Sequence, residues 1–181
     1  MSTIFLKAFW LILPAGSANV GAALSAKFFP ALNYPVDCRR HFRGKRIFGD
    51  HKTWRGLAAG TATGLVIFAI QKKLFVSSSF FHETSVFNYE EAQWIIGFLF
   101  SFGALFGDII KSFVKRQINI APGKPWFIVD QTDWIAGMFL AAAPAMRFSL
   151  SIVVSSFLVG LFLHLLVKCI GYIVKLDGAP V

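Results

Sequence analysis

Charged and hydroxyl side chains recur at helical spacing directly after an apolar stretch of the chain. Asp108, Lys111, Ser112 and Lys115 would share one face of a helix, with Arg116 beside them. A carboxylate, a hydroxyl group and two ammonium groups on one face, with a guanidinium beside them, can neutralise phosphate groups and help hold a divalent ion. The alternative for Lys115 and Arg116 is a basic collar at a membrane surface. Asp108 follows an unbroken apolar run, where ionisable groups are costly and functional by default.

Two further carboxylates, Asp130 and Asp133, stand three residues apart where the next apolar segment begins. Acidic residues at such a place can also cap a helix and offset its dipole. Two carboxylates on one helical face suit Mg²⁺ as well, since this ion leaves its other positions to water and phosphate oxygens. We therefore predict a metal site formed by Asp108, Asp130 and Asp133. Pro122, Gly123 and Pro125 would turn the intervening loop back toward Asp108.

A third polar cluster, Gly49–Gly56, precedes another apolar segment and reads GDHKTWRG. Its glycines allow the backbone to approach a ligand closely. The alternative is a capped helix start with a cationic collar. The residues of this cluster that are predicted to bind a ligand are Asp50, Lys52, Thr53 and Arg55.

Polar residues elsewhere give weaker signals. Asn19 lies within an apolar segment and is predicted either to bond a neighbouring helix or to contact substrate. Pro14 should disturb the same helix. The histidines have no evident ligand partner and are expected to be structural or solvated; they are His41, His51, His82 and His164. Cys38 and Cys169 are predicted to be free thiols.

Composition indicates a single integral membrane domain over residues 1–181. Hydrophobic residues make up 56% of the chain, Phe occurs 21 times and the mean hydropathy is +0.63. A helix needs about 20 apolar residues to cross a bilayer. We therefore predict an all-α polytopic protein with about five membrane-spanning helices. The predicted segments are Ile4–Phe29, Gly56–Phe75, Ala92–Val114, Trp134–Met146 and Leu150–Val174, and Pro144 is expected to kink or end the fourth.

The basic residues predict the orientation of these spans. The net charge of +9 is concentrated in the first and third loops, which the positive-inside rule assigns to the cytoplasm. The N-terminus is then outside and the C-terminus cytoplasmic, and both polar motif loops share the cytoplasmic face. Basic residues at segment ends do not form the aromatic-lined basic surface typical of nucleic-acid binding. The N-terminal apolar stretch is interpreted as the first span, because no clear cleavage pattern follows it.

Other common catalytic patterns are missing from the sequence. It has no Walker A, GxGxxG or GxSxG motif, and no cluster of His and Cys spaced for zinc. These absences remove most hydrolase and soluble nucleotide-binding interpretations.

The two segments GDIIKSFVKR and VDQTDW together resemble the signature of membrane cytidylyltransferases that make CDP-activated lipids. The CDP-diacylglycerol synthase family has Ser-x-x-Lys-Arg followed by Asp-x-x-Asp, here Ser112–Arg116 and Asp130–Asp133. The short five-span branch, CDP-archaeol synthase, is similar over nearly the whole chain, including Pro14, Ala15 and Asn19, and Gly49–Gly56. The Lys-Asp pair and the His-Gly-Gly of the larger bacterial-type enzymes are absent, which favours the short branch.

This resemblance implies CTP, Mg²⁺ and a phosphorylated diradylglycerol of archaetidic or phosphatidic type, with release of pyrophosphate. It also implies an active site at the cytoplasmic face of the membrane. The expected role of Lys111, Lys115 and Arg116 is to neutralise pyrophosphate or hold the lipid phosphate. Three alternatives remain at this stage: ester-lipid specificity, a membrane glycerol-phosphate acyltransferase, and a non-enzymatic transporter. The sequence predicts no oligomeric state.

Overall fold

Helices make up most of the protein, as predicted. The computed structural model describes residues 3–121 and 124–173, with side chains as far as residue 166. The loop between the first two long helices also contains a short antiparallel hairpin and a 3₁₀ turn, which the sequence did not predict. The elements are α1 (Ile4–Phe28), the 3₁₀ turn (Pro30–Leu32), β1 (His41–Phe42), β2 (Lys45–Arg46), α2 (Trp54–Ser77), α3 (Ser79–Thr84), α4 (Trp94–Gln117), α5 (Val129–Ala142) and α6 (Leu150–Ile173).

Within the described residues, three helices are long and apolar enough to cross a membrane, namely α1, α2 and α4. They coincide with the first three predicted segments. α6 begins at the predicted Leu150 and is apolar through Leu166, while the predicted end at Val174 lies outside the described residues. α5 has only 14 residues and begins at Val129, before the predicted Trp134. The predicted start is late because the first turn of the helix is polar, whereas the prediction begins at the apolar segment. α5 ends at Ala142, two residues before Pro144. This agrees with the expectation that Pro144 ends the helix, because a proline has no N–H group to continue the helical hydrogen bonding.

The long helices pack in pairs. α1 lies along α2, α4 lies along α5, and α6 covers α1 and α5. The loop between α3 and α4 folds back into the bundle, where Tyr89 is fully buried against Phe68 and stacks on Phe87. Lys72 Nζ in α2 donates hydrogen bonds to three backbone carbonyls of this loop, which fixes it at the end of the bundle opposite the polar motifs.

Pro14 interrupts the hydrogen bonding of α1 without breaking the helix. A proline has no N–H group, so the carbonyl of Trp10, four residues earlier, loses its helical partner. Gln71 in α2 is fully buried, and its Nε2 donates to that carbonyl oxygen at 2.5 Å. The predicted disturbance is therefore compensated by a side chain of the neighbouring helix, which an apolar environment requires.

Glycines bring α4 and α5 into backbone contact. A Cβ atom on Gly137 would overlap the carbonyl oxygen of Gly103, and one on Gly107 would overlap that of Asp133. Small residues allow such close approach between helices in membranes. The contact places the first turn of α5 directly beside Asp108, the residue after Gly107.

A methyl group at this contact should destabilise the protein. In Gly137→Ala, the new Cβ can be accommodated only if the helices move apart, because the atoms that it meets are backbone. Overpacking typically costs ~1–3 kcal/mol, so we expect a lower thermal midpoint in detergent. Gly16→Ala is the matched control, since its Cβ would lie 3.7 Å from the Trp134 ring. Equal midpoints for the two variants would contradict the close approach.

Candidate active site

The predicted polar motifs meet at one cavity of about 1160 Å³. One part of its wall is polar, and the other consists of apolar residues of α1, α2, α4 and α6. Ser112, Lys115 and Arg116 do not line it. The predicted site residues that do are Asn19, Asp50, Lys52, Thr53, Arg55, Asp108, Lys111, Asp130 and Asp133.

Lys111 lies at the centre of the acidic residues. Its Nζ is 2.8 Å from Asp108 Oδ1, 3.4 Å from Asp130 Oδ1 and 3.0 Å from Asp133 Oδ2. These carboxylates come from the second half of α4 and the start of α5, which the glycine contact holds together. One ammonium group therefore bridges all three of the predicted metal ligands.

Two more lysines complete an alternating set of charges. Lys52 Nζ contacts Asp108 Oδ2, and Lys115 Nζ donates to both oxygens of Asp130 at 2.9 and 3.1 Å. Asp133 has no ion pair except that with Lys111 among the described residues. Three lysines thus balance three aspartates, so the cluster is formally neutral before any ligand binds.

The start of α2 positions Lys52. Thr53 caps the helix, because its Oγ1 accepts a hydrogen bond from Gly56 N at 3.1 Å. The backbone on either side pairs with an earlier segment: Val36 N donates to Lys52 O and Trp54 N donates to Tyr34 O. Lys52 therefore extends toward α4 from a backbone that is fixed on both sides.

The start of α5 is also held tightly. Asp130 Oδ2 accepts a hydrogen bond from Trp126 N at 2.6 Å, which orients the carboxylate toward Lys115. Ile128 immediately before the helix has φ +69°, a conformation that is strained for a β-branched residue. Thr132 Oγ1 and Gln131 N both donate to its carbonyl oxygen, and these bonds help to maintain that conformation.

The remaining predicted residues have more local contacts. Ser112 Oγ donates to the carbonyl of Asp108 within α4. Arg55 Nη1 donates to Phe29 O, while exposed Asp50 forms an ion pair with Arg46 at 2.9 Å. Arg116 does not line the cavity, and its buried Nε has no hydrogen-bond partner within the part of the chain that the structure describes.

Asp37 organises the basic loop, and the sequence analysis missed it. It accepts hydrogen bonds from the Arg46 guanidinium and from the backbone N–H groups of Arg39, Phe48 and Gly49. Burial alone would raise the pKa of Asp37, but these donors outweigh it and lower the pKa from 3.8 to about 2. Asp37 has no distinctive spacing from other motif residues; its sequence signal is only that it is one of two carboxylates among many cations in this loop, with Asp50.

Other cavity residues were also not singled out as functional. His51 and His164 line the cavity, although both were expected to be structural or solvated, and Asn33 and Trp134 line it as well. The Trp134 indole Nε1 donates to the carbonyl of Gln131, which places the ring against the wall. No motif or spacing in the sequence indicates these positions.

The acidic residues have the chemistry of a divalent-metal site but do not form a ready-made cage. The described residues contain no group of three or more acidic, His or Cys side chains arranged around an ion position, since Lys111 stands between the carboxylates. Asp133 Oδ2 is buried, and its one ion-pair partner among the described residues is the Lys111 ammonium at 3.0 Å, so a cation already lies at this oxygen. Carboxylate oxygens are the donors that hard divalent cations take, and the residues therefore fit such an ion once Lys111 moves.

An apolar helical bundle with a charged cavity at one end has the architecture of an intramembrane enzyme. A solved structure described as "Structural insight into an intramembrane enzyme for archaeal membrane lipids biosynthesis" superposes with a TM-score of 0.72. It is 28% identical in sequence and the match covers 91% of this chain and 94% of that one. Together with the three apolar helices, this likeness shows an integral membrane protein.

Sequence comparison identifies the family. The profile described as CarS-like, CDP-archaeol synthase, matches residues 1–180. The CDP-archaeol synthase of Thermococcus onnurineus (strain NA1) is 35% identical, with 88% of this chain and 86% of that protein covered. That of Pyrococcus abyssi (strain GE5 / Orsay) is 34% identical, with 99% of each covered. The chain belongs to the CarS-like family of CDP-archaeol synthases, and it is a cytidylyltransferase enzyme.

Loss of the Asp37 charge should loosen the basic loop. Hydrogen bonds to a charged group contribute about 1.5–3 kcal/mol, so Asp37→Asn should increase local opening ~10-fold or more. We expect correspondingly faster tryptic cleavage within residues 39–46 at neutral pH. Asp50→Asn, which removes a single exposed ion pair of the same loop, should change the rate far less. Equal rates for Asp37→Asn and the wild type would contradict the assigned role.

The lowered pKa of Asp37 also predicts a pH dependence. A depressed carboxyl pKa stabilises the fold above the ordinary value of 3.8, and that stabilisation is lost as the pH falls toward about 2. Pepsin should therefore cleave the loop of the wild type increasingly fast over this range, relative to an unstructured reference peptide digested at the same pH. The Asp37→Asn variant should lack this increase.

Proposed function

We propose that this protein transfers CMP from CTP to a phosphorylated diradylglycerol with ether-linked, archaeol-type chains. The products are the CDP-lipid and pyrophosphate. The observation that carries the proposal is the cavity itself, in which a cluster of lysines and aspartates adjoins an apolar wall between helices. A polar nucleotide and the head group of a membrane lipid can meet only where such surfaces adjoin. The relatives named CDP-archaeol synthase support this choice of acceptor.

The chain's cations would bring the two anionic substrates together. Lys52, Arg55 and Lys111 line the cavity and can pair with phosphate oxygens of CTP or of the lipid. Lys115 lies behind Asp130 and fixes that carboxylate, so its contribution is to position the acid. Positioning and charge neutralisation are the main contributions that proteins make to phosphoryl and nucleotidyl transfer.

The reaction needs no protein nucleophile. An oxygen of the already ionised lipid phosphate attacks the α-phosphorus of CTP, and a new P–O–P bond forms. The bond from that phosphorus to the β-phosphate oxygen breaks, and pyrophosphate leaves with the electron pair. Cations preorganised in the cavity stabilise the charge that develops on the leaving group.

Asp108, Asp130 and Asp133 would hold the divalent ion, which we propose to be Mg²⁺. When bound, the ion would supply positive charge that offsets the negative charge of the phosphates in the transition state. The fit rests on the carboxylate donor set and on the buried Asp133 Oδ2, which already contacts a cation, the Lys111 ammonium, at 3.0 Å. Asp130 is pre-oriented by Trp126 N and Lys115, so little rearrangement of that ligand is required.

A topology of five spans in one domain accompanies this site. We propose that α5 and α6 complete the membrane domain with α1, α2 and α4, with the N-terminus outside and the C-terminus cytoplasmic. The basic first loop and the cavity are then on the cytoplasmic side, where CTP is available. Clustering of the polar residues at one end of the bundle supports this enzyme and does not favour a transporter, whose polar residues would line a path through the spans.

Neutralising the metal ligands should nearly abolish turnover. Removal of one preorganised charge contact typically lowers the rate ~10²–10³-fold, and we expect this for Asp108→Asn, Asp130→Asn and Asp133→Asn. Incorporation of radiolabelled CTP into lipid by purified protein would measure it. Glu91→Gln is the control, because Glu91 is exposed at the opposite end of the bundle. Normal turnover in Asp130→Asn and Asp133→Asn would show that the metal assignment is wrong.

A comparison of acceptors tests the substrate assignment. Purified protein with Mg²⁺ and CTP should convert a phosphorylated ether diradylglycerol to the CDP-lipid, identified by mass spectrometry. An ester-linked phosphatidic acid offered separately should react more slowly. Faster reaction of the ester would overturn the archaeol-type assignment, and failure of both acceptors would overturn the proposed reaction.

A further inference from the structure

We propose that Lys111 is the resident counter-ion of the metal site, which a divalent cation must displace and which then pairs with the nucleotide. Metal and CTP would therefore bind cooperatively, with Lys111 as the coupling residue. This inference rests on the proposed function, because it takes Asp108, Asp130 and Asp133 as the metal ligands.

The geometry shows that the ammonium and a metal ion compete for the same oxygens. Lys111 Nζ lies within 3.4 Å of Asp108, Asp130 and Asp133 at once. A divalent ion held by these carboxylates would occupy nearly the same point. Two cations at that separation repel strongly in a site that is largely shielded from water. The carboxylates can therefore hold one or the other.

Asp133 depends on the Lys111 ammonium for its charge compensation. Asp108 has Lys52 as a second partner and Asp130 has Lys115, whereas Asp133 has only Lys111 among the described ion pairs. Its side chain is 6% exposed. A buried carboxylate needs a compensating charge, so Asp133 holds Lys111 in place until another cation arrives.

The displaced ammonium also needs a new partner. Lys111 lines the cavity, so its side chain can swing into that space. Much of the wall there is apolar, and an unpaired ammonium group would be poorly solvated beside it. The triphosphate of CTP supplies the missing anion. Each ligand thus makes binding of the other more favourable, and by linkage the coupling is reciprocal.

Metal affinity without nucleotide gives the first test. Electron paramagnetic resonance of free Mn²⁺ would measure binding to detergent-purified protein. We expect weak binding to the wild type and at least ~10-fold tighter binding to Lys111→Met, within the range usual for allosteric coupling. Lys115→Met is the matched control: it changes the net charge equally but removes an ammonium whose hydrogen-bond partners among the described residues are Asp130 and the Lys124 carbonyl. It should tighten Mn²⁺ binding much less.

The outcomes separate this inference from the proposed function. Equal tightening in both variants would indicate a general charge effect and would overturn the role of Lys111. Unchanged binding in Lys111→Met, with Mn²⁺ binding lost in Asp133→Asn, would also overturn it while leaving the metal site intact. An absence of Mn²⁺ binding to the wild type, with and without CTP, would instead refute the metal site itself.

Amine labelling of the wild type provides a test that does not depend on the folding of a variant. An ammonium held by three carboxylates should react slowly with acetic anhydride. Saturating Mn²⁺ should release Lys111 and raise its acetylation several-fold, as followed by mass spectrometry, and CTP added afterward should lower it again. Exposed Lys27 is the internal control and should not change. Constant labelling of Lys111 throughout the Mn²⁺ titration would contradict displacement.

Discussion

Backbone contact between α4 and α5 is the constraint on which the rest of the site depends. Gly103, Gly107 and Gly137 let the two helices approach until carbonyl groups of one touch the other. Without that approach, Asp108 and Asp133 could not share a single lysine. The apolar packing of α1 and α2 adds the third side of the cavity, but it does not set the spacing of the acids.

Charge balance is the second constraint. Three aspartates in a poorly solvated cavity would be strongly unfavourable on their own, and three lysines, two from α4 and one from the loop before α2, neutralise them. The protein can therefore fold in the membrane before it meets its ligands. Because the cluster is neutral, a cation or an anion that binds alone would leave a net charge in the cavity. A charged ligand must therefore replace a side chain of the same sign in its ion pairs, or bind together with a ligand of opposite charge.

Much of this arrangement could be predicted from sequence, because charged residues stand out against apolar segments. The long helices α1, α2 and α4 follow directly from the length of their apolar runs. The start of α5 was predicted too late because its first turn is polar. Predictions from apolar runs recognise only the apolar part of a helix. Helical spacing also placed Ser112 and Lys115 on one stripe with Asp108. It could not show that the Ser112 hydroxyl donates to the backbone carbonyl of Asp108, or that Lys115 turns toward Asp130. The catalytic and metal-binding roles of these residues stay predictions.

The bond between Gln71 and the Trp10 carbonyl links two distant positions of the chain. The Gln71 amide supplies a hydrogen bond that the Trp10 carbonyl oxygen would otherwise lack, because Pro14 leaves that oxygen without a helical donor. A chain with alanine at position 14 would supply the donor itself, and the glutamine amide would then be a polar group without an acceptor in an apolar interior. The two positions should therefore change together as the family diverges, with aliphatic residues at position 71 wherever position 14 is not proline.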